Sequence, residues 1–210
     1  KLYGSADYYI KNTADMLYNA PIPGIVGAAA PTRNIGEVQN KGFELLVSTR
    51  GDIGGLDYEI GGNIAFSSNE VKFLGGGDPT FSGFTFVQGA VSKTDVGQPI
   101  ASFFGYRTDG IFQSQQDVEA HAFQSTGTAA GDIRFQDLNE DGVVNEDDRT
   151  IIGNPSPDFI YGMNLGLGYK GFDLSAFVQG VHGNEIFNAS VRYDKVGGNR
   201  PASILERWLP

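Results

Sequence analysis

Residues 137–148 read DLNEDGVVNEDD, and their spacing is that of a loop built to hold a hard cation. Asp137, Asn139 and Asp141 set side-chain oxygens at the first, third and fifth positions, and Gly142 at the sixth permits a sharp turn. Val143 offers its backbone carbonyl at the seventh position, Asn145 stands at the ninth, often a water-mediated one, and Asp148 closes the shell at the twelfth. The usual twelfth residue is Glu, whose longer arm binds through both oxygens. Asp148 therefore predicts a weaker calcium site, in the range of about 10⁻⁴–10⁻³ M. A divalent cation would offset the repulsion among these carboxylates and pin the segment, while Val144 supplies an apolar anchor. The other reading of the same residues is an acidic Asx-turn hairpin without metal. No amphipathic helix leads into the loop, so the elements around it are of another kind.

Little else in the chain offers chemistry. His121 and His182 lie far apart without a ligand pattern, and no serine sits in a G-x-S-x-G turn. LGGGD at 74–78 lacks the Lys-Ser/Thr of a phosphate cradle. The absence of cysteine removes thiol catalysis, disulfides and thiolate zinc sites. Carboxylates are too plentiful, at 25 Asp and Glu, for any pair to stand out as a glycosidase dyad. An enzyme is not expected. A formal charge of −10 and a pI near 4.5 exclude nucleic acid as a partner, because phosphate binding needs clustered Lys and Arg.

The elements that must carry the loop are strands. In DFIYGMNLGLGY the positions from Phe159 through Tyr161, Met163, Leu165 and Leu167 to Tyr169 are apolar, and those between them are mostly small or polar. FDLSAFVQG and LDYEIGGNIAFSS repeat the alternation, and weaker versions appear earlier in the chain. This period of two predicts half-buried strands near 2–10, 40–50, 56–68, 158–169 and 172–182. Residues 51–54 and 170–171 read as tight turns. Residues 11–39 and 69–157 read as long loops, with a short helix within 114–125 capped by Ser114 and Asp117. All the long connections then fall at one end. No stretch approaches the roughly 18 apolar residues of a membrane helix.

Two all-β architectures share that asymmetry. One is a secreted, calcium-stabilised β-sandwich that binds glycans through its loops. The other is an antiparallel transmembrane β-barrel, with short turns on one side of the membrane, long extracellular loops on the other and aromatic girdles at both interfaces. Tyr58, Tyr169 and Phe172 lie near the short turns, and Phe66, Phe159 and Tyr161 toward the opposite ends, which favours the barrel. The polar positions Asp57, Glu59, Asn63, Asn164, Asp173 and Gln179 would then face the lumen, either lining a path or simply hydrating the wall. Phe103, Phe104 and Tyr106 in the long loop could meet a partner or pack the loop against itself. Lys1 leads straight into a strand-like run and SILERWLP ends the sequence abruptly, so residues 1–210 are expected to be one partial barrel domain from a longer polypeptide.

NIGEVQNKGFEL (34–45), GQPIASFFGYRTDGIFQ (97–113), the run from GDIRFQDLNEDG to VHGNEIFN (131–188) and RW (207–208) resemble, in collinear order, the SusC/RagA-like TonB-linked outer-membrane proteins of Bacteroidota. The 131–188 run is the most specific of these, whereas NKGFEL resembles a strand of TonB-dependent receptors at large. The resemblance implies a 22-stranded barrel with an N-terminal plug in the outer membrane, driven by TonB through a region absent from this chain. It also implies a SusD-like surface lipoprotein as lid and the import of oligosaccharides or peptides. On this reading the chain is an antiparallel segment of the barrel's C-terminal half, in contact with outer-membrane lipid. The calcium loop would lie in the extracellular excursion at 69–157.

Overall fold

The structure is a computed structural model and describes residues 1–19, 27, 31–75, 81–82, 85–86, 89–189 and 202. In chain order the strands are β1 (Leu2–Asn19), β2 (Thr32–Ile53), β3 (Leu56–Leu74), β4 (Phe81–Ser82), β5 (Thr85–Phe86), β6 (Gly89–Ala90) and β7 (Ser92–Thr94). There follow β8 (Ser102–Tyr106), β9 (Thr108–Ile111), β10 (Ile133–Phe135), β11 (Arg149–Gly153), β12 (Phe159–Tyr169) and β13 (Phe172–His182). One helix, α1 (Gln115–Ala120), lies between β9 and β10, and it carries the expected capping box between Ser114 and Asp117. The chain divides into two compact units, residues 1–102 with 153–185 and residues 103–152 with 186–210.

The first unit is dominated by an antiparallel sheet in the order β1-β2-β3-β12-β13. Its residues form strands because apolar side chains alternate with mostly small or polar ones, most regularly along β3 and β12. Both short turns have two residues with positive φ, Gly54–Gly55 and Lys170–Gly171. That is the geometry of a type I′ turn, whose twist matches paired strands. The first turn therefore sits at Gly54 and Gly55 rather than across 51–54, since Ile53 already pairs with Leu56.

The strands β1, β2 and β3 outrun the apolar alternation. β1 continues to Asn19 and β2 starts at Thr32, so the expected loop at 11–39 is replaced over much of its length by paired backbone, and residues 20–26 and 28–30 lie outside the described residues. Polar side chains support this extension by bonding across strands: Gln39 to Asn12 at 2.9 Å and Asn69 to Asn40 at 2.7 Å. A bulge with Asp15 at φ 57° relieves the register near Thr13 and Met16. β3 likewise runs to Leu74, inside the stretch expected as a loop at 69–157, and that stretch holds short strands of its own. Val38, Val71 and Leu74 form a small buried cluster on this extension.

In the second unit β9 pairs with β10, and Asp109 and Arg134 bridge them at 2.9 Å. Among the described residues Phe112 is its buried hydrophobic side chain, with the His121 ring edge-on against it. β8 and β11 lie side by side.

Candidate functional site

The face of the sheet that carries the apolar alternation has a second order that appears only through register. Tyr8 pairs with Phe43, Phe43 with Phe66, Phe66 with Phe159 and Phe159 with His182, so one row of rings crosses all five strands. Phe66 and Phe159 stand 5.5 Å apart, and the His182 ring stacks on Phe159 at 4.8 Å. A second aromatic group, Tyr58, Tyr169 and Phe172, lies by the two turns. Between them Ile60 and Met163 are exposed, and Phe172 is 81% exposed. Water does not normally face an apolar surface of this extent on a monomer.

The opposite face carries most of the polar residues and is floored by glycine, with Tyr9, Leu46, Ile160, Phe177 and Val181 also standing on it. Asp57 and Asp173 flank Gly168, Glu59 and Ser175 flank Gly166, and Asn63 and Gln179 flank Gly162. The sequence-derived lumen residues Asp57, Glu59, Asn63, Asn164, Asp173 and Gln179 thus share one face. A groove of about 600 Å³ runs here, lined in part by Arg50, Asp57, Glu59, Gly168, Asp173 and Ser175. Arg50 escaped the sequence reading because only its pairing with Glu59 places it here.

The loop at 137–148 is set by its neighbours in the second unit. Gln124 accepts from the Phe135 N–H at 2.7 Å, and Phe123 exchanges backbone bonds with Gly142 and Val144. Inside the loop Asp137 Oδ2 accepts from the Gly142 N–H at 2.8 Å, and Asn139 Oδ1 from the Asp141 N–H at 3.0 Å. Asp141 Oδ1 accepts from the Val143 N–H at 2.8 Å, and Asn145 Nδ2 reaches the Val143 carbonyl at 3.4 Å. Gly142 has φ 87°, where a side chain is strained, and Glu140 also has positive φ. Asp137 Oδ1 is buried without a hydrogen-bond partner.

Asp148 is fully buried and its oxygens accept from the N–H groups of Leu138, Asn139 and Asn145. Those bonds, the one from Asn145 foremost, together with an interaction with the Asp137 side chain, hold its carboxyl below the usual aspartate range against the opposing effect of burial. Among the described residues no three His, Asp or Glu side chains converge on a single metal position.

The loop aromatics pack internally. The Arg149 guanidinium lies 4.6 Å from the Phe104 ring centre and 5.9 Å from that of Tyr106, and Tyr106 meets Phe135 at 5.3 Å. Both histidines likewise have structural tasks, His121 edge-on against Phe112 and His182 stacked on Phe159.

No family model matches the chain. The chain is 34% identical to TonB-dependent receptor P3 of Formosa agariphila over 98% of its own length and 21% of that protein's. It is 25% identical to TonB-dependent receptor SusC of Bacteroides thetaiotaomicron over 89% of its length and 18% of that protein's. The RagAB peptide importer in its open-open state superposes with a TM-score of 0.72 at 20% identity, covering 95% of this chain and 20% of that one. The closed-closed state of RagAB gives 0.64 at 21%, over 87% and 19%; at these identities the two superpositions speak for fold alone. The chain is homologous to a segment of the SusC/RagA-like TonB-linked outer-membrane proteins, spanning about a fifth of the curated relatives' length. These names describe receptors and importers rather than enzymes. The β-sandwich alternative is not favoured: a sandwich would bury the apolar face, whose residues stand exposed.

Proposed function

We propose that this chain forms part of the wall of a TonB-dependent outer-membrane importer that takes up oligosaccharides or peptides together with a SusD-like surface lipoprotein. The observation that carries the reading is the apolar face bounded by two aromatic groups. β12 links them and is 11 residues long. At ~3.4 Å per residue and a tilt of ~45° it rises about 25 Å, the height of the lipid-facing band of such barrels. The polar face then looks into the lumen, and the open sheet edges at β1 and β13 continue into further strands. The peptide in the substrate class is suggested by the RagAB importer; the oligosaccharide, the lipoprotein and TonB follow from the family resemblance.

The test is made on the native polypeptide from source cells. We expect a species far heavier than 22.5 kDa, extracted from the outer membrane by detergent, whose gel mobility shifts on boiling. A soluble 22.5 kDa protein without a heat shift would remove the importer and restore the β-sandwich.

A second proposal concerns the loop. Calcium held by Asp137, Asn139, Asp141 and the Val143 carbonyl, with Asn145 through water, would satisfy the buried Asp137 Oδ1 that has no partner. Its role is to pin an extracellular excursion. Titration of the full-length protein in detergent should give saturable binding at about 10⁻⁴–10⁻³ M. Asp137→Ala combined with Asp141→Ala should abolish it; saturable heat that survives the double substitution would place the calcium elsewhere.

A further inference from the structure

Position 12 of a calcium loop ordinarily contributes a ligand that closes over the ion. Here the residue at that position is engaged with the protein itself. Asp148 Oδ1 accepts from the Leu138 N–H at 2.7 Å and the Asn139 N–H at 3.4 Å, and Oδ2 accepts from the Asn145 N–H at 2.8 Å. Leu138 and Asn139 belong to the entry limb of the loop and Asn145 to its exit limb. One carboxylate therefore ties the two limbs together from inside, at a position with no solvent exposure. Asn145 caps the 3₁₀ turn Glu146–Asp148 by accepting from the Asp147 N–H at 2.8 Å, which fixes the carboxylate's own approach. Hydrogen bonds to an ionised oxygen are among the stronger ones, and losing the acceptor would leave three N–H groups without it.

We infer that Asp148 is a positioning residue, a buried latch that shapes the 137–148 loop before any cation arrives and leaves coordination to Asp137, Asn139, Asp141 and the Val143 carbonyl. The assignment of ligands rests on the calcium proposal above, whereas the ion-independent closure does not. Two consequences separate the latch from a ligand. Removing the ion empties the loop without opening it. Glutamate, the residue that suits a twelfth ligand, is wrong for the latch, because a further methylene at a position with no solvent exposure displaces both oxygens from their three donors.

The experiment is hydrogen exchange read by mass spectrometry on the full-length protein in detergent, with calcium or with a chelator, alongside calcium titration. In the unsubstituted protein the amides of Leu138, Asn139 and Asn145 should stay protected in chelator. Asp148→Glu should exchange there at least about tenfold faster with or without calcium, and should bind calcium more weakly. Asp137→Asn with Asp141→Asn should lose calcium affinity while keeping the protection seen in chelator. Protection that collapses on chelation in the unsubstituted protein overturns the latch, as does an Asp148→Glu protein that binds calcium equally or more tightly. Should no calcium bind at all while protection persists in chelator, the calcium proposal fails and the latch stands. Asp148→Ala, which deletes the acceptor outright, should give the largest loss of protection.

Discussion

Met163→Arg in the full-length protein should prevent most of the polypeptide from reaching the heat-modifiable folded form. Met163 is 51% exposed near the middle of β12, on the face shared with Ile60 and between the two aromatic groups. If that face meets lipid, a guanidinium there costs about 2–4 kcal/mol, the range measured for basic residues near the midplane of such barrels. The same charge on the other face should be tolerated. Gln179 pairs with Gly162, one residue from Met163 along β12, and its side chain lies on the polar face. Gln179→Arg should therefore fold like the unsubstituted protein. The comparison is made by the folded fraction on unboiled gels and by urea unfolding in vesicles. Greater damage from Gln179→Arg would show that the faces have been assigned the wrong way round, and equal tolerance of both substitutions would show that neither face meets lipid.

Gly42→Ala should lower stability by about 1–3 kcal/mol, the usual cost of forcing extra volume into a tight site. A Cβ at Gly42 would stand 2.6 Å from the Phe66 carbonyl oxygen and 2.6 Å from the Tyr9 ring. The ring can swing aside, but the carbonyl belongs to the ladder between β2 and β3 and cannot move without breaking register. Gly62 is the matched control, since a Cβ there meets nothing closer than the Gly162 carbonyl at 3.7 Å. Gly62→Ala should change stability by no more than about 0.5 kcal/mol. Urea midpoints of the two variants decide the matter. If Gly42→Ala matches Gly62→Ala, the close approach of Tyr9 and Phe66 to Gly42 is not present in the folded protein.

The sequence by itself determined the faces and the short turns' neighbourhoods. Alternation through Phe159–Tyr169 and Phe172–His182 is a local property, because successive strand side chains point to opposite sides whatever the strand pairs with. The loop's spacing at 137–148 was equally local, and so was the capping box that starts α1. What lies across strands was not legible. No local signal brings Tyr8, Phe43, Phe66, Phe159 and His182 into one row, since that depends on the pairing register of five strands. Nor does alternation report the extensions of β1, β2 and β3, where bonds such as Gln39 to Asn12 and Asn69 to Asn40 act together with the small Val38, Val71 and Leu74 cluster. Asp148 shows the limit most directly. Its position in the sequence marks a calcium ligand, and only the folded loop brings the N–H groups of Leu138, Asn139 and Asn145 around its carboxylate, the enclosure on which the proposed latch rests.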